Sequence, residues 1–149
     1  MSALRSLLAG RGSFCSIGSE LPKEKGTYIL LLELDGSISV RTKYGRRNLE
    51  PGIYAYVGSA FGPGGLRARI ERHWRKEKRK HWHIDDVTTS DHCKQIGAFV
   101  FPGEQIEGEL AEMLGRVFKP VPGFGASDSR EDTHLFQIQR DNMRSSRAE

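Results

Sequence analysis

Arg69 and His73 lie four residues apart at the head of the run LRARIERHWRKEKRK. On a helix that spacing puts one above the other. A fixed guanidinium there could clamp a phosphate where charge develops in a transition state. An imidazole beside it could bind a phosphate or assist proton transfer near neutral pH. The plainer alternatives are an arginine whose stem covers apolar surface and a structural histidine. Glu107 stands three residues before Leu110 and seven before Leu114, so it shares the apolar face of its helix. A carboxylate on such a stripe must be paired, metal-bound or able to reach water. One carboxylate is enough protein for Mg²⁺, which keeps several waters. A first-turn residue near helix N–H groups is the other reading.

His81, His83 and Asp85 alternate with Trp82 and Ile84, which reads as a strand with a polar face. Same-face neighbours on a strand are too far apart to complete a tetrahedral zinc site. Hydrogen-bonding roles, catalytic or structural, fit better. Trp74 and Trp82 read as core first and stacking platforms second. Tyr28, Tyr54 and Tyr56 are ordinary strand aromatics by propensity. Each would act as a base only if its surroundings lowered a pKa near 10 or supplied a proton acceptor.

These residues need elements to position them. TYILLLEL (27–34) reads as a strand, Asp35-Gly36 as a hairpin turn and SISVRT as the return strand. Residues 45–51 read as a polar loop and GIYAYV (52–57) as a third strand, with Tyr54 and Tyr56 on its exposed face. The glycine-rich stretch 58–65 reads as a tight loop. A helix over 66–79 follows, with Leu66, Ile70 and Trp74 as its stripe, its N-terminus offering free N–H groups to an anion. IGAFVF (96–101) is a strand, 105–118 a helix stopped by Pro120 and Pro122, and THLFQI the last strand. The class is α+β. A flexible leader (1–21), one domain (22–140) and a flexible tail (141–149) complete the reading.

The chain has 149 residues, a formal charge of +4 and a pI near 9.2. Eight Lys or Arg and only two Glu fall between Leu66 and Lys80. That local density, more than the total, favours a phosphate-rich partner. Cys15 and Cys93 have no motif spacing, which fits a reduced, cytoplasmic setting. No stretch has the apolar length of a membrane span.

In order along the chain, several motifs resemble the GIY-YIG nuclease superfamily, most closely its compact Uri-like (DUF123) branch. They are Gly26-Thr27-Tyr28, Tyr56-Val57-Gly58 followed by Ser59, the triplet Leu66, Arg69 and His73, HWHID at 81–85, Glu107 in EGELAEML, and GFGASDSREDTHLF. The resemblance covers residues 25–138. It implies a central three-stranded antiparallel sheet flanked by helices, with an additional β-hairpin accounting for the 27 residues between Tyr28 and Tyr56. It also implies hydrolysis of phosphodiesters with one Mg²⁺ or Mn²⁺. In the implied roles Tyr28 activates water, Tyr56 positions the nucleophile, Arg69 stabilises the phosphate, Glu107 holds the metal, and His73 and His83 join the site. Ser59, Arg72, Arg75, Lys76, Arg79, Ser127 and His134 are the substrate-binding candidates. The late Asn of many superfamily members has no clear match; Ser127, Asp128 and His134 are the local candidates. Gly108, Ser129 and Glu131 stand where many branch members carry cysteines, so no thiol-dependent role is expected.

The leading expectation is a metal-dependent endonuclease acting on single-stranded or structured DNA, with RNA not excluded and no membrane involved. A non-catalytic nucleic-acid-binding module is the alternative. A basic structural protein would explain the charge but not the polar strand face at His81, His83 and Asp85.

Overall fold

A computed structural model describes residues 2–125 and 133–138. Ser127, Asp128, Ser129 and Glu131, and the expected tail 141–149, lie outside these. The architecture is α+β. Eight strands run β1 (Ser13–Ser16), β2 (Gly26–Leu34), β3 (Ile38–Thr42), β4 (Gly45–Leu49), β5 (Gly52–Ala60), β6 (Cys93–Pro102), β7 (Lys119–Pro120) and β8 (Leu135–Ile138). Four helices are α1 (Ser2–Leu8), α2 (Gly65–Trp74), α3 (Ile84–Thr88) and α4 (Glu107–Gly115). Six strands form one sheet in the order β1-β6-β2-β5-β8-β7, every pairing antiparallel, while β3 and β4 form a separate two-stranded sheet. The sheet is thus twice as wide as the three strands expected.

Strand β2 explains its own apolar run. Side chains alternate across a strand, and here both faces are covered. Tyr28, Leu30, Leu32 and Leu34 pack with Leu66 and Ile70 of α2 and Ile84 and Val87 of α3. Ile29 and Leu31 pack on the other face with Leu4 and Leu8 of α1 and Leu110 and Leu114 of α4. The functional residues of α2 and α4 therefore approach from opposite faces of one sheet.

The expected flexible leader is instead part of this fold. Leu4 and Leu8 are 0% and 1% exposed, and β1 pairs with β6 from Ser13↔Val100 to Ser16↔Gly97. This short apolar patch is large enough to pack on Ile29 and Leu31 of the sheet.

The Asp35-Gly36 turn does not close a hairpin between β2 and β3. Strand β2 pairs with β5 and β6, and β3 pairs with β4. The stretch read as a polar loop, GRRNL, is strand β4, exposed at every position but Leu49. Such a strand loses the alternation that marks one half-buried. Only Val40, Thr42 and Leu49 of this hairpin are buried. They fold it back over the face that carries α2 and α3. Asp86 of α3 accepts the Arg41 backbone N–H at 2.9 Å, and Lys43 N–H reaches the Gly123 carbonyl at 3.1 Å. Gly123 has φ 99°, and a Cβ there would strike the Thr42 side chain. Only glycine lets the hairpin sit this close.

Three further boundaries differ from expectation. Strand β5 continues through Gly58 to Ala60, so the glycine loop begins later. Helix α2 stops at Trp74, with Arg75 extended at φ −77°, ψ 134°. No apolar stripe continues beyond Trp74, and the Lys78 ammonium bonds the Arg72 and His73 carbonyls at 2.9 and 3.0 Å. Finally, residues 81–89 form no strand. Asp85 accepts the N–H groups of His81 and Trp82 at 2.7 and 3.1 Å, and the chain turns into α3. A side chain that bonds nearby backbone overrides the alternating pattern.

If α1 is part of the folded unit, Leu4→Ala or Leu8→Ala should each lower unfolding free energy by about 2–5 kcal/mol. Urea denaturation followed by circular dichroism measures this. Losses within experimental error would show that α1 is not packed.

Candidate active-site cleft

A cleft of about 1230 Å³ opens beside α2 and α3 and reaches the start of α4. Tyr28, Tyr56, Ser59, Arg69, His73, His83 and Glu107 all line it. The sheet register places the first three. Tyr28 lies opposite Gly58, Leu30 opposite Tyr56, and Thr27 opposite Ser59. Facing residues on paired strands point to the same side. A Cβ at Gly58 would collide with the Tyr28 hydroxyl, so the glycine of the YVG motif is the space in which the phenol lies.

The Tyr28 hydroxyl is 2.7 Å from His73 Nε2. Tyr28 is 1% exposed and His73 1%. Burial pushes the Tyr28 phenol far above its ordinary range; nearby Tyr56 and Glu107 add to this, and Arg69 opposes it. Burial also pulls His73 down to about 3, helped by the charges of Lys78, Arg69 and Arg72 and opposed by Asp85. The resting pair is therefore a protonated phenol and a neutral imidazole, so Nε2 can accept the phenolic proton. Tyr56 is likewise driven up by burial, then by Glu107 and Asp85, with Arg69 opposing. It is a hydrogen-bond donor at neutral pH. Tyr54, expected on an exposed face, is 2% exposed and donates to the Glu50 carbonyl at 2.6 Å.

Glu107 is the first residue of α4. Thr27 fixes that helix start. Its hydroxyl donates to the Glu104 carbonyl at 2.7 Å and accepts the Ile106 N–H at 3.0 Å. Ser59 Oγ donates to Glu107 Oε1 at 2.7 Å, and His134 Nδ1 lies 3.0 Å from Oε2. Burial raises the Glu107 pKa, but hydrogen bonds from His134 and Ser59 and the charges of His134 and Arg69 outweigh it, and the net shift is downward. The carboxylate is ionised, oriented and 25% exposed to the cleft. His134 Nδ1 also lies 3.3 Å from the Val57 carbonyl. Both neighbours are acceptors, so Nδ1 carries the proton.

Arg69 donates to the Ser59 carbonyl at 2.8 Å and stacks on Trp82, 4.8 Å from the ring centroid. Arg72 stacks on the same ring at 4.4 Å. Arg72 also holds Asp85 through two hydrogen bonds, of 3.1 and 2.9 Å. Asp85 is fully buried, and those bonds with the His81 and Trp82 N–H groups overcome burial and hold its pKa at about 2. The HWHID segment is thus a scaffold that lays Trp82 beneath Arg69.

Several residues assigned to substrate have other tasks. Ser59 and His134 orient Glu107. Arg72 is committed to Asp85. The Lys76 ammonium binds the carbonyls of Thr88, Ser90 and Cys93. Arg75 and Arg79 are exposed and do not line the cleft. The free N–H groups expected at the start of α2 are taken too. Leu66 N–H binds the Glu24 carbonyl at 2.8 Å and Arg67 N–H that of Pro22 at 2.9 Å. Lys80, a member of the basic run, lines the cleft, and the cleft cations missed by sequence reasoning are Arg41, Lys43 and Arg46 of the hairpin. The signal was the dense basic composition of VRTKYGRR, masked by its reading as part strand, part loop.

Among the described residues, no group of three or more His, Cys, Asp or Glu converges as a metal cluster. The donor set suits a hard cation held by one carboxylate and water, and not zinc. Among the described residues, no helix is long and apolar enough to cross a membrane.

The family described as "Domain of unknown function DUF123" matches residues 27–149. The chain belongs to this DUF123 family. No curated protein and no solved structure matches it. Within DUF123 terms, the matched region contains Tyr28, His73, Arg69 and Glu107, but not α1, β1 or the Pro22 and Glu24 carbonyls that cap α2.

His73 has a folded pKa below its unfolded value of 6.5. Its contribution to stability is therefore present above about pH 6.5 and is lost as the pH falls towards 3. Between pH 7 and 5, where carboxylates titrate little, the melting temperature should decline. His73→Gln should flatten that decline whatever its effect on absolute stability. Equal slopes in the two proteins would rule out the buried neutral imidazole.

Proposed function

We propose that this protein is a GIY-YIG-type endonuclease of the Uri-like kind, hydrolysing phosphodiester bonds of single-stranded or structured DNA with Mg²⁺ or Mn²⁺. The observation that carries the reading is the meeting of a Tyr28–His73 pair, a stacked Arg69 and an ionised Glu107 in one cationic cleft. A pure binding surface has no need of a carboxylate aimed among phosphate contacts.

The residues divide the work by their chemistry. Glu107 would hold the divalent ion, with Ser59 and His134 fixing its two oxygens, as orienting neighbours of metal ligands do. The bound ion supplies Lewis-acid charge that offsets the negative charge growing on the phosphoryl group. Arg69 supplies the second positive charge. Its guanidinium is already oriented by Trp82 and the Ser59 carbonyl, so little reorganisation is needed as charge develops. As the water oxygen bonds to phosphorus and the bond to the leaving oxygen breaks, Tyr28 Oη takes a proton from the water while passing its own to His73 Nε2, and the leaving oxygen takes its proton from solvent. The relay spares Tyr28 from becoming a free anion, which burial opposes, and the imidazolium it makes at His73, which burial also opposes, gives up its proton again before the next turnover. Tyr56, protonated at neutral pH, donates a hydrogen bond that orients the nucleophile. His83, exposed at the cleft rim, lies where it can meet the substrate backbone.

The test is cleavage of labelled single-stranded, branched and duplex DNA, and of RNA, in Mg²⁺, Mn²⁺ or EDTA. Product should appear with metal and vanish with EDTA. Glu107→Gln and Arg69→Ala should each lower the rate by about 10²–10³-fold, and Tyr28→Phe should do so with binding retained. Metal-independent binding without product on every substrate would decide for a non-catalytic binding module. Undiminished cutting by Glu107→Gln would remove the metal role of that residue.

A further inference from the structure

The β3–β4 hairpin forms the wall of the cleft opposite Arg69 and Glu107, and its residues are not explained by its fold. On one face Val40, Thr42 and Leu49 anchor it in the core. On the other, Ser39, Arg41 and Arg46 look into the cleft. Arg41 and Arg46 are directly opposed in the strand register. Like charges facing each other across a strand pair are destabilising. Only part of that cost is relieved internally. Arg46 donates to the Ser39 hydroxyl and carbonyl, both at 3.2 Å. Among the described residues the Arg41 guanidinium makes neither a hydrogen bond nor an ion pair, acting on Asp86 only as a nearby charge. Asp86 itself is held by Lys80 at 2.9 Å. At the hairpin tip, Tyr44 is 63% exposed, with the Lys43 ammonium 5.6 Å from its ring centroid.

We propose that this hairpin is a clamp for an unpaired polynucleotide segment: Arg41 and Arg46 grip successive phosphates, and Tyr44 stacks on a base. The proposal rests on the nuclease reading of the same cleft and adds the residues that hold an unpaired strand there. An opposed arginine pair becomes favourable when an anion lies between the two guanidiniums. An exposed aromatic ring beside cations is the arrangement that holds single strands with little regard to sequence, because every base has a π-face and a paired base does not offer it. Charge on the cleft lining agrees. Among the described residues, Arg41, Lys43, Arg46, Arg69 and Lys80 share the cleft lining with two carboxylates, Asp86 and Glu107.

The test is fluorescence anisotropy of the full chain with labelled 20-nucleotide single strands, DNA and RNA, and the matching blunt duplex, in EDTA over a salt series. Wild type should bind a single strand at least about ten-fold tighter than the duplex. Losing two phosphate contacts should reduce the magnitude of the log–log salt slope for single strands in Arg41→Ala/Arg46→Ala by about 1.4. Tyr44→Leu should weaken single-strand binding by roughly five-fold or more with the salt slope unchanged. Arg47→Ala, on the strand's other face, should match wild type. Circular dichroism melts confirm that each variant is folded. Unchanged single-strand affinity in both hairpin variants, or duplex binding equal to single-strand binding, would overturn the clamp. Because binding is read without metal, loss of the clamp and loss of nuclease activity are separate results. A preference between DNA and RNA strands names the polynucleotide.

Discussion

Ser59 is held from both sides of the sheet, and the rest of the site depends on that. Its hydroxyl donates to Glu107, which arrives on α4 from one face. Its carbonyl accepts from Arg69, which arrives on α2 from the other. A carboxylate and a guanidinium in the same cleft would otherwise collapse into a direct ion pair of little use to a substrate. With one strand residue between them, each is oriented while keeping its charge. The cost is that β5 must be covered on both faces at this point, which is why the sheet carries helices on both sides.

Burial then sets the protonation states. Tyr28 and His73 lie beneath the cleft floor, and desolvation pushes both towards their neutral forms. Asp85 and Glu107 are also partly desolvated, but each has enough donors to stay ionised. The cleft therefore has a neutral, hydrogen-bonded tyrosine–histidine pair beside fixed charges. Arg72 and Trp82 are the less visible half of this arrangement. By neutralising Asp85 and lying under Arg69, they convert a short sequence motif into the shelf on which the guanidinium rests.

Much of the site was legible because its members sit on long, regular elements. Arg69 and His73 share a helix, Glu107 begins another, and Tyr28 and Tyr56 are strand residues of fixed side. The class, α+β, followed from the same periodicity. What was illegible depended on single hydrogen bonds between distant parts. Asp85 turns an alternating pattern into a helix. Lys76 and Lys78 turn their ammonium groups to backbone carbonyls and do not line the cleft. Strand β4 has no burial alternation to read, although its hairpin carries the cations of the cleft wall. His134 is a substrate candidate only as a local match for the late Asn of the resembling superfamily, but it is 2% exposed and its Nδ1 lies 3.0 Å from Glu107, so it orients that carboxylate instead.

The capping of α2 has a consequence for where the working unit begins. The first N–H groups of that helix are satisfied by carbonyls of residues 22 and 24, and Gly65 packs against the carbonyls of Lys23 and Glu24. Helix α1 and strand β1 close the far face and one sheet edge. All of these precede residue 27, where the family match starts. The region recognised by family resemblance is therefore smaller than the cooperative unit that orients Arg69. A boundary drawn by sequence similarity would cut through the helix cap, exposing two leucine sockets and an unpaired strand edge.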